Sequence, residues 1–545
     1  MITQAAYLFQ FKKLNMITTT QIDSNAADSL FRMLDHEGKN SIDPDKFLRQ
    51  LSGAGILQDD PRIRELLAWP QFRQQITKGN QIAKTEFNEI LQQNALVKKS
   101  LSKNLVIPDF EAFCQQIQDI FLDTQRNKGG KVADYIPQLA RVDPEQFAIS
   151  ICTVDGQRYS IGDSNTNFCL QSSCKPINYC LALEELGEEK VHTHVGREPS
   201  GQSFNELALN LKGLPHNPMI NAGAMMSCSL IDNKNNIADR FDKVNKTWQA
   251  LCGGKKMSFN NSVYLSERQT ADRNFALAYF MREKNAFPEN TNLTETLEFY
   301  FQSCSIESST YDLSVAAATL ANAGTNPLTG NSIFRSSTVQ NCLSLMLSCG
   351  MYDFSGEFAF KIGLPAKSGV SGALMLVIPN LMGISIWSPR LDAVGNSVRG
   401  VEFCERLVER FSFHPYDSLT GHSTKVNPRK KENELKASKV MELIRSASHG
   451  DLDEILRLEA EGVNPNISDY DGRTPLHLAA CEDQIEVIKH LIQKKVQLSP
   501  KDRWGNTPLE DAKKFKNKDI VSLLEDAIKS QNKDHNKSKV LVTKK

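Results

Sequence analysis

A hydroxyl and an amine stand three residues apart in the stretch 168–180 (FCLQSSCKPINYC), as Ser172 and Lys175, with Pro176 directly after. On a helix, positions i and i+3 share a face with Cβ atoms about 5–6 Å apart, so the amine reaches the hydroxyl's proton. Serine is a poor nucleophile until a base takes that proton. Lysine serves as the base only if burial or a nearby cation pulls its pKa toward about 7–8. The spacing alone is cheap, because Ser100–Lys103 and Ser530–Lys533 repeat it. Ser172 is singled out by Lys367-Ser-Gly369, the one K-[S/T]-G in the chain, and Lys367 is a candidate for the cation that depresses Lys175. The structural alternative is a helix-capping serine followed by a solvated lysine.

S-x-x-K followed far downstream by K-[S/T]-G resembles the serine β-lactamase and penicillin-binding architecture, in which the K-[S/T]-G strand lines the site beside the nucleophile. The surrounding elements fit that plan. Residues 147–154 read as a strand, Asp155-Gly156 as a hairpin turn and 158–162 as the returning strand. A helix over 312–323 packs on that sheet. The charge-free stretch 368–389 divides into ALMLVI and MGISIW around Pro379-Asn380, which predicts a buried hairpin rather than a membrane span. A mixed α/β domain follows over 107–415. The short S-x-N element of β-lactamases occurs at Ser203–Asn205 and Ser258–Asn260 and carries little weight; Tyr352 is a candidate for its proton role.

With 545 residues the chain is long enough for three or four domains. A formal net charge of zero gives no reason to expect nucleic acid or an anionic membrane surface as a partner. Twelve cysteines without C-x-x-C pairs, and ten histidines without H-E-x-x-H, predict reduced core thiols in an intracellular protein and no metal site. Residues 1–25 read as a flexible N-terminus; 1–22 lack acidic residues, which suits either a mitochondrial targeting segment or a plain disordered end.

Residues 26–106 read as amphipathic helices around a degenerate EF-hand loop starting at Asp35. Its sixth position is Asn40 where glycine is needed, and its twelfth is Lys46 where calcium needs a bidentate glutamate. A helical docking or dimerisation module is the expectation. After a polar linker over 416–436, Thr474-Pro-Leu-His477 returns as Thr507-Pro-Leu-Glu510, a period of 33. That period with T-P-L-H-x-A marks ankyrin repeats over 437–529. A lysine-rich tail over 530–545 is expected to be disordered.

Seven runs carry a closer resemblance: VADYIPQLA (132–140), CTVDGQRYSIGD (152–163), CLQSSCKP (169–176), PHNPMINAGAM (215–225), SERQTADRNFA (266–276), CGMYDFSG (349–356) and LPAKSGVSG (364–372). Together with the order of its domains, the chain resembles the animal phosphate-activated glutaminases. That resemblance implies a multidomain protein with an α-helical EF-hand-like N-terminal domain, an α/β β-lactamase-like catalytic domain and all-α ankyrin repeats. It implies hydrolysis of L-glutamine to glutamate and ammonia, without a cofactor and with inorganic phosphate as activator, by a mitochondrial homo-oligomer (dimer to tetramer). A cytoplasmic location is the alternative. The ankyrin repeats would bind a protein partner.

By the same resemblance Ser172 attacks the side-chain amide with Lys175 as base, Tyr352 shuttles the proton to ammonia, and Tyr135 contacts the reacting amide. The backbone N–H groups of Ser172 and Val370 form the oxyanion hole. Asn221, Glu267, Asn274 and Tyr300 hold the α-amino and α-carboxylate groups. The chemistry agrees, since a free amino acid needs a carboxylate for its ammonium and neutral donors for its carboxylate. In the loop 199–207, Phe204 and Leu207 match apolar positions where dimers meet, and Ala208 replaces a phenylalanine of the mammalian pattern. Glu206 stands where that pattern has lysine, which predicts altered phosphate activation. The rival readings are another serine acyl-enzyme of this fold and a non-catalytic ankyrin scaffold.

Overall fold

The computed structural model describes residues 24–35, 39–69, 81–420, 424–430, 432–460 and 463–542. The N-terminal targeting question and His36–Gly38 of the EF-hand-like loop therefore lie outside the described residues. The chain forms two compact units, Met1–Arg429 and Lys430–Lys545.

In the first unit, short helices between Ser24 and Leu101 bury Phe31, Phe47, Phe87 and Ile90 in a core of their own. Strands β1 (Ser41–Ile42) and β2 (Ile82–Ala83) pair antiparallel between them. Asn40 takes the left-handed conformation (φ 54°) that the loop's sixth position demands. Lys46 turns its ammonium onto the Leu34 carbonyl at 2.7 Å.

In the larger part of this unit the elements that frame the sheet and the site are, in chain order, α1 (Phe110–Gln125), β3 (Ala148–Thr153), β4 (Arg158–Gly162), β5 (Phe168–Cys169), α2 (Lys175–Leu186), α3 (Asn221–Leu230), β6 (Ser258–Phe259), α4 (Asn261–Gln269), α5 (Asp272–Glu283), α6 (Leu293–Cys304), β7 (Ile306–Ser308), α7 (Thr310–Ala321), β8 (Ala366–Ser368), β9 (Ala373–Ile378), β10 (Met382–Trp387) and α8 (Val398–Arg410), with further helices between them. Five strands make one antiparallel sheet in the order β4-β3-β10-β9-β8. The apolar runs 373–378 and 382–387 are its central hairpin, turning at Asn380 with φ 58°. Every residue of both strands is buried, because both faces of the sheet are covered. One face packs on α1 and α8 through Phe113, Phe121, Leu376, Ile384 and Phe403. On the other lies α7, whose small residues let it sit close: a Cβ on Gly383 of β10 would come within 2.1 Å of the Ala318 nitrogen.

The N-terminal helices are tied to the outer strand β4. The Arg158 N–H donates to the Gly55 carbonyl at 2.7 Å, and its buried guanidinium binds Asp59 at 2.7 and 3.1 Å. Gln157 Nε2 donates to the carbonyls of Ala54 and Ile107, each at 3.0 Å.

The second unit consists of helices α9 (Glu432–His449), α10 (Leu452–Ala460), α11 (Pro475–Cys481), α12 (Ile485–Gln493), α13 (Pro508–Lys514) and α14 (Lys518–Val542). The repeat signature has a physical basis here. Thr474 and Thr507 are N-caps with proline in the first turn, and the Thr474 N–H donates to His477 Nδ1. His477 Nε2 lies 3.2 Å from the Asn506 carbonyl, which stitches one repeat to the next. The tail departs from expectation, because α14 continues past Ser530 to Val542. No glycine or proline interrupts that stretch.

Candidate active site

The Ser172 turn is held from three sides. The Leu170 N–H donates to the Ile306 carbonyl of β7 at 2.8 Å, which fixes the chain just before the turn. Gln171–Cys174 then form a 3₁₀ turn, and the α-helix begins only at Lys175, with Pro176 in its first turn. The expected helical i, i+3 geometry is thus a 3₁₀-to-α junction. Gln171 has φ 49°, a left-handed backbone rare for a non-glycine residue. On the third side a Cβ on Gly369 of the K-S-G segment would meet the Leu170 carbonyl at 2.9 Å and Ser173 Oγ at 3.0 Å. Only glycine allows the two segments this approach.

Lys175 has no solvent exposure, and its Nζ donates to Asn221 Oδ1 at 2.7 Å. Burial lowers its pKa to about 8, against the small raising effect of the buried thiols of Cys304, Cys174 and Cys228. A lysine in that range is part neutral near neutrality and can act as a base. The expectation that Lys367 depresses Lys175 needs correction. Lys367 is itself held well below its ordinary value, by burial first and by the Lys175 cation second. Its Nζ donates to the carbonyls of Gly350 (3.1 Å) and Ser368 (2.6 Å) and stands 4.5 Å from the centre of the Tyr352 ring.

Tyr352, again in a left-handed conformation (φ 55°), is buried, and its hydroxyl makes no hydrogen bond of ordinary geometry among the described residues. Burial pushes its pKa up while the Ser172 and Ser368 hydroxyls pull it down. A Cβ on Gly395 would come 3.6 Å from its ring, and the Phe204 ring lies 4.7 Å away, centre to centre. Among the described residues the Ser172 and Val370 N–H groups donate no backbone hydrogen bond, so both remain available to an oxyanion.

Asn221 is a hub: its Oδ1 accepts from Lys175 and, at 3.3 Å, from the Tyr300 hydroxyl, while its Nδ2 donates to Asn274 Oδ1 at 3.2 Å. Buried Glu267 accepts from the Tyr135 hydroxyl at 2.6 Å and from Gln171 Nε2 at 2.9 Å. Burial raises its pKa and those two hydrogen bonds lower it, so an arriving ammonium would complete its charge pairing. Arg268 pairs with Glu298 instead of its neighbour, which leaves Glu267 to the site. The Tyr135 ring is partly exposed at the edge of this cluster, with its hydroxyl anchored on the Glu267 carboxylate.

The S-x-N matches play structural parts. Ser203 bonds to Asn205, and Ser258 and Asn260 both bond to Glu307. In the loop 199–207, Glu206 and Leu207 are exposed. Half-buried Phe204 packs its ring on Tyr352 within the chain, and its carbonyl accepts the Asn221 N–H at 3.0 Å. Gln171 is the site-lining residue that sequence reasoning missed. A neutral amide beside a nucleophile carries no chemical signal, and only its backbone angle and its bond to Glu267 mark it out.

The sequence profile of the glutaminase family matches residues 130–416, an EF-hand domain profile matches 26–108, and one of three ankyrin repeats matches 443–536. The chain is 45% identical over 493 residues to the mitochondrial liver isoform of glutaminase from Mus musculus, spanning 90% of this chain and 82% of that one. It is 43% identical to putative glutaminase 2 of Caenorhabditis elegans, over 93% of this chain and 86% of the relative. A solved chain described as the probable glutaminase ybaS superposes with a TM-score of 0.54 at 35% identity, over 56% of this chain and 97% of its own length. With a buried serine and a buried lysine three residues apart at its centre and these likenesses around it, this chain belongs to the glutaminase family.

Proposed function

We propose that this glutaminase hydrolyses L-glutamine to L-glutamate and ammonia through a γ-glutamyl ester of Ser172. The observation that carries this mechanism is the wholly buried Lys175, with a pKa lowered to about 8, one turn from Ser172. Neutral Lys175 takes the Ser172 proton as Oγ attacks the amide carbon. The Ser172 and Val370 N–H groups receive the oxyanion, and each such donor is worth about 3–4 kcal/mol at the transition state. Tyr352 protonates the leaving nitrogen, and water then cleaves the ester. Glu267 pairs with the substrate ammonium, while Asn221, Asn274 and Tyr300 orient the α-carboxylate. In quenched-flow mass spectrometry with glutamine, the Ser172 peptide should gain a glutamyl group. Ser172→Ala should abolish both the adduct and ammonia release; undiminished release would defeat the mechanism.

The protein is further read as a mitochondrial matrix enzyme that works as a dimer or tetramer, with its ankyrin repeats engaging a protein partner. The mitochondrial names of the liver relatives and the ankyrin profile support this reading. Inorganic phosphate is read as an activator whose effect is altered by the exposed carboxylate of Glu206. Glu206→Lys should strengthen activation in a phosphate titration, and an unchanged titration curve would remove Glu206 from that role.

A further inference from the structure

The K-S-G strand carries a hydroxyl that the steps above do not use. Ser368 on β8 is fully buried, and its Oγ has no hydrogen-bond partner among the described residues. Its backbone is engaged at both ends: its N–H donates to the Gly350 carbonyl at 3.1 Å, and its own carbonyl accepts from Lys367 Nζ at 2.6 Å. The same Gly350 carbonyl accepts from Lys367, so strand and lysine together grip the segment two residues before Tyr352. The Tyr352 hydroxyl is likewise buried without a partner of ordinary geometry. The Lys367 ammonium ties the two residues together, donating to the Ser368 carbonyl at 2.6 Å while standing 4.5 Å from the centre of the Tyr352 ring, and the hydroxyls of Ser172 and Ser368 both ease the formation of the Tyr352 anion. Buried hydroxyls that lack a partner of ordinary hydrogen-bond geometry are costly to keep unless some state of the protein brings them together.

Resting on the acyl-enzyme reading above, we infer that Ser368 is a positioning residue for leaving-group protonation, its hydroxyl donating to the Tyr352 oxygen as Tyr352 gives up its proton. The carbon–nitrogen bond breaks with its electron pair on nitrogen, which takes the Tyr352 proton and departs as ammonia. Lys175, carrying the proton taken from Ser172, returns it to the Tyr352 oxygen. One proton has then moved from Ser172 Oγ to nitrogen, and Ser368 keeps its own.

The test separates leaving groups in the full-length protein. Ser368→Ala should slow glutamine turnover about 10- to 100-fold, the effect of losing one hydrogen bond to a developing charge. Hydrolysis of the γ-(4-nitrophenyl) ester of glutamate needs no protonation of its leaving group, so it should stay within about threefold of the parent. Ser368→Thr should restore the glutamine rate, and Tyr352→Phe should share the Ser368→Ala selectivity. Equal losses on both substrates, or no loss on glutamine, would overturn the inference. Ester hydrolysis surviving in Ser172→Ala would instead strike the acyl-enzyme reading itself.

Discussion

Lys175 is the group through which pH should govern this enzyme, and Asn221 offers a way to move it. The Asn221 Oδ1 atom lies 2.7 Å from Lys175 Nζ in a fully buried setting. Asn221→Asp places a carboxylate at that distance with almost no change in volume. A close opposite charge stabilises the protonated form of a lysine, raising its pKa by about 1–3. Because the base works when neutral, a raised pKa moves the acidic limb of the kcat profile to higher pH. From a starting value of about 8, a rise of about one in that pKa should lower the rate about tenfold at fixed pH on the limb. Asn221 is also proposed to orient the substrate carboxylate, so KM should rise, but the kcat profile at saturating glutamine isolates the change in the base. The decisive outcome is recovery: kcat of the variant should approach that of the parent at high pH. An acidic limb that stays in place, with a loss that is the same at every pH, would refute Lys175 as the base.

Two further outcomes follow from the packing. Glu267→Gln keeps an acceptor for Tyr135 and Gln171 but removes the charge proposed to pair with the substrate ammonium; kcat/KM for glutamine should fall about 10- to 100-fold, chiefly through KM. A loss confined to kcat would move Glu267 away from substrate binding. Asp59→Ala strips Arg158, whose side chain is 3% exposed, of its closest carboxylate, leaving Asp60 at 3.9 Å. Since Asp59 itself is 43% exposed, the full cost of an unpaired buried charge is discounted to about 1–3 kcal/mol in denaturant unfolding; an unchanged midpoint would show that the contact contributes nothing.

Chemical type, spacing and alternation made much of this molecule readable in advance. The K-S-G motif led to the edge strand beside Ser172, alternating and continuous apolar runs led to the hairpins, and a 33-residue period led to the ankyrin helices. What escaped were features set by three-dimensional closeness. Gln171 and Ser368 have side chains too ordinary to stand out, and their significance lies in a left-handed backbone and an unpartnered burial. The roles of the two lysines come out inverted for the same reason: depth of burial, invisible in a string of letters, depresses Lys175, and the Lys175 cation in turn acts on Lys367. The contact of Phe204 with Tyr352, and its carbonyl's bond from the Asn221 N–H, likewise have no mark in the sequence.

The tie between Gly55 and Arg158 has a consequence for anyone handling the catalytic region alone. Strand β4 is the last in its sheet, and such a strand offers open peptide groups to any passing chain. Here the N-terminal helices occupy part of that rim and bury the Arg158 guanidinium against their own acid. A fragment trimmed to residues 107–415 should therefore be sticky, tending to self-associate through the bared rim and to precipitate at concentrations the intact chain tolerates.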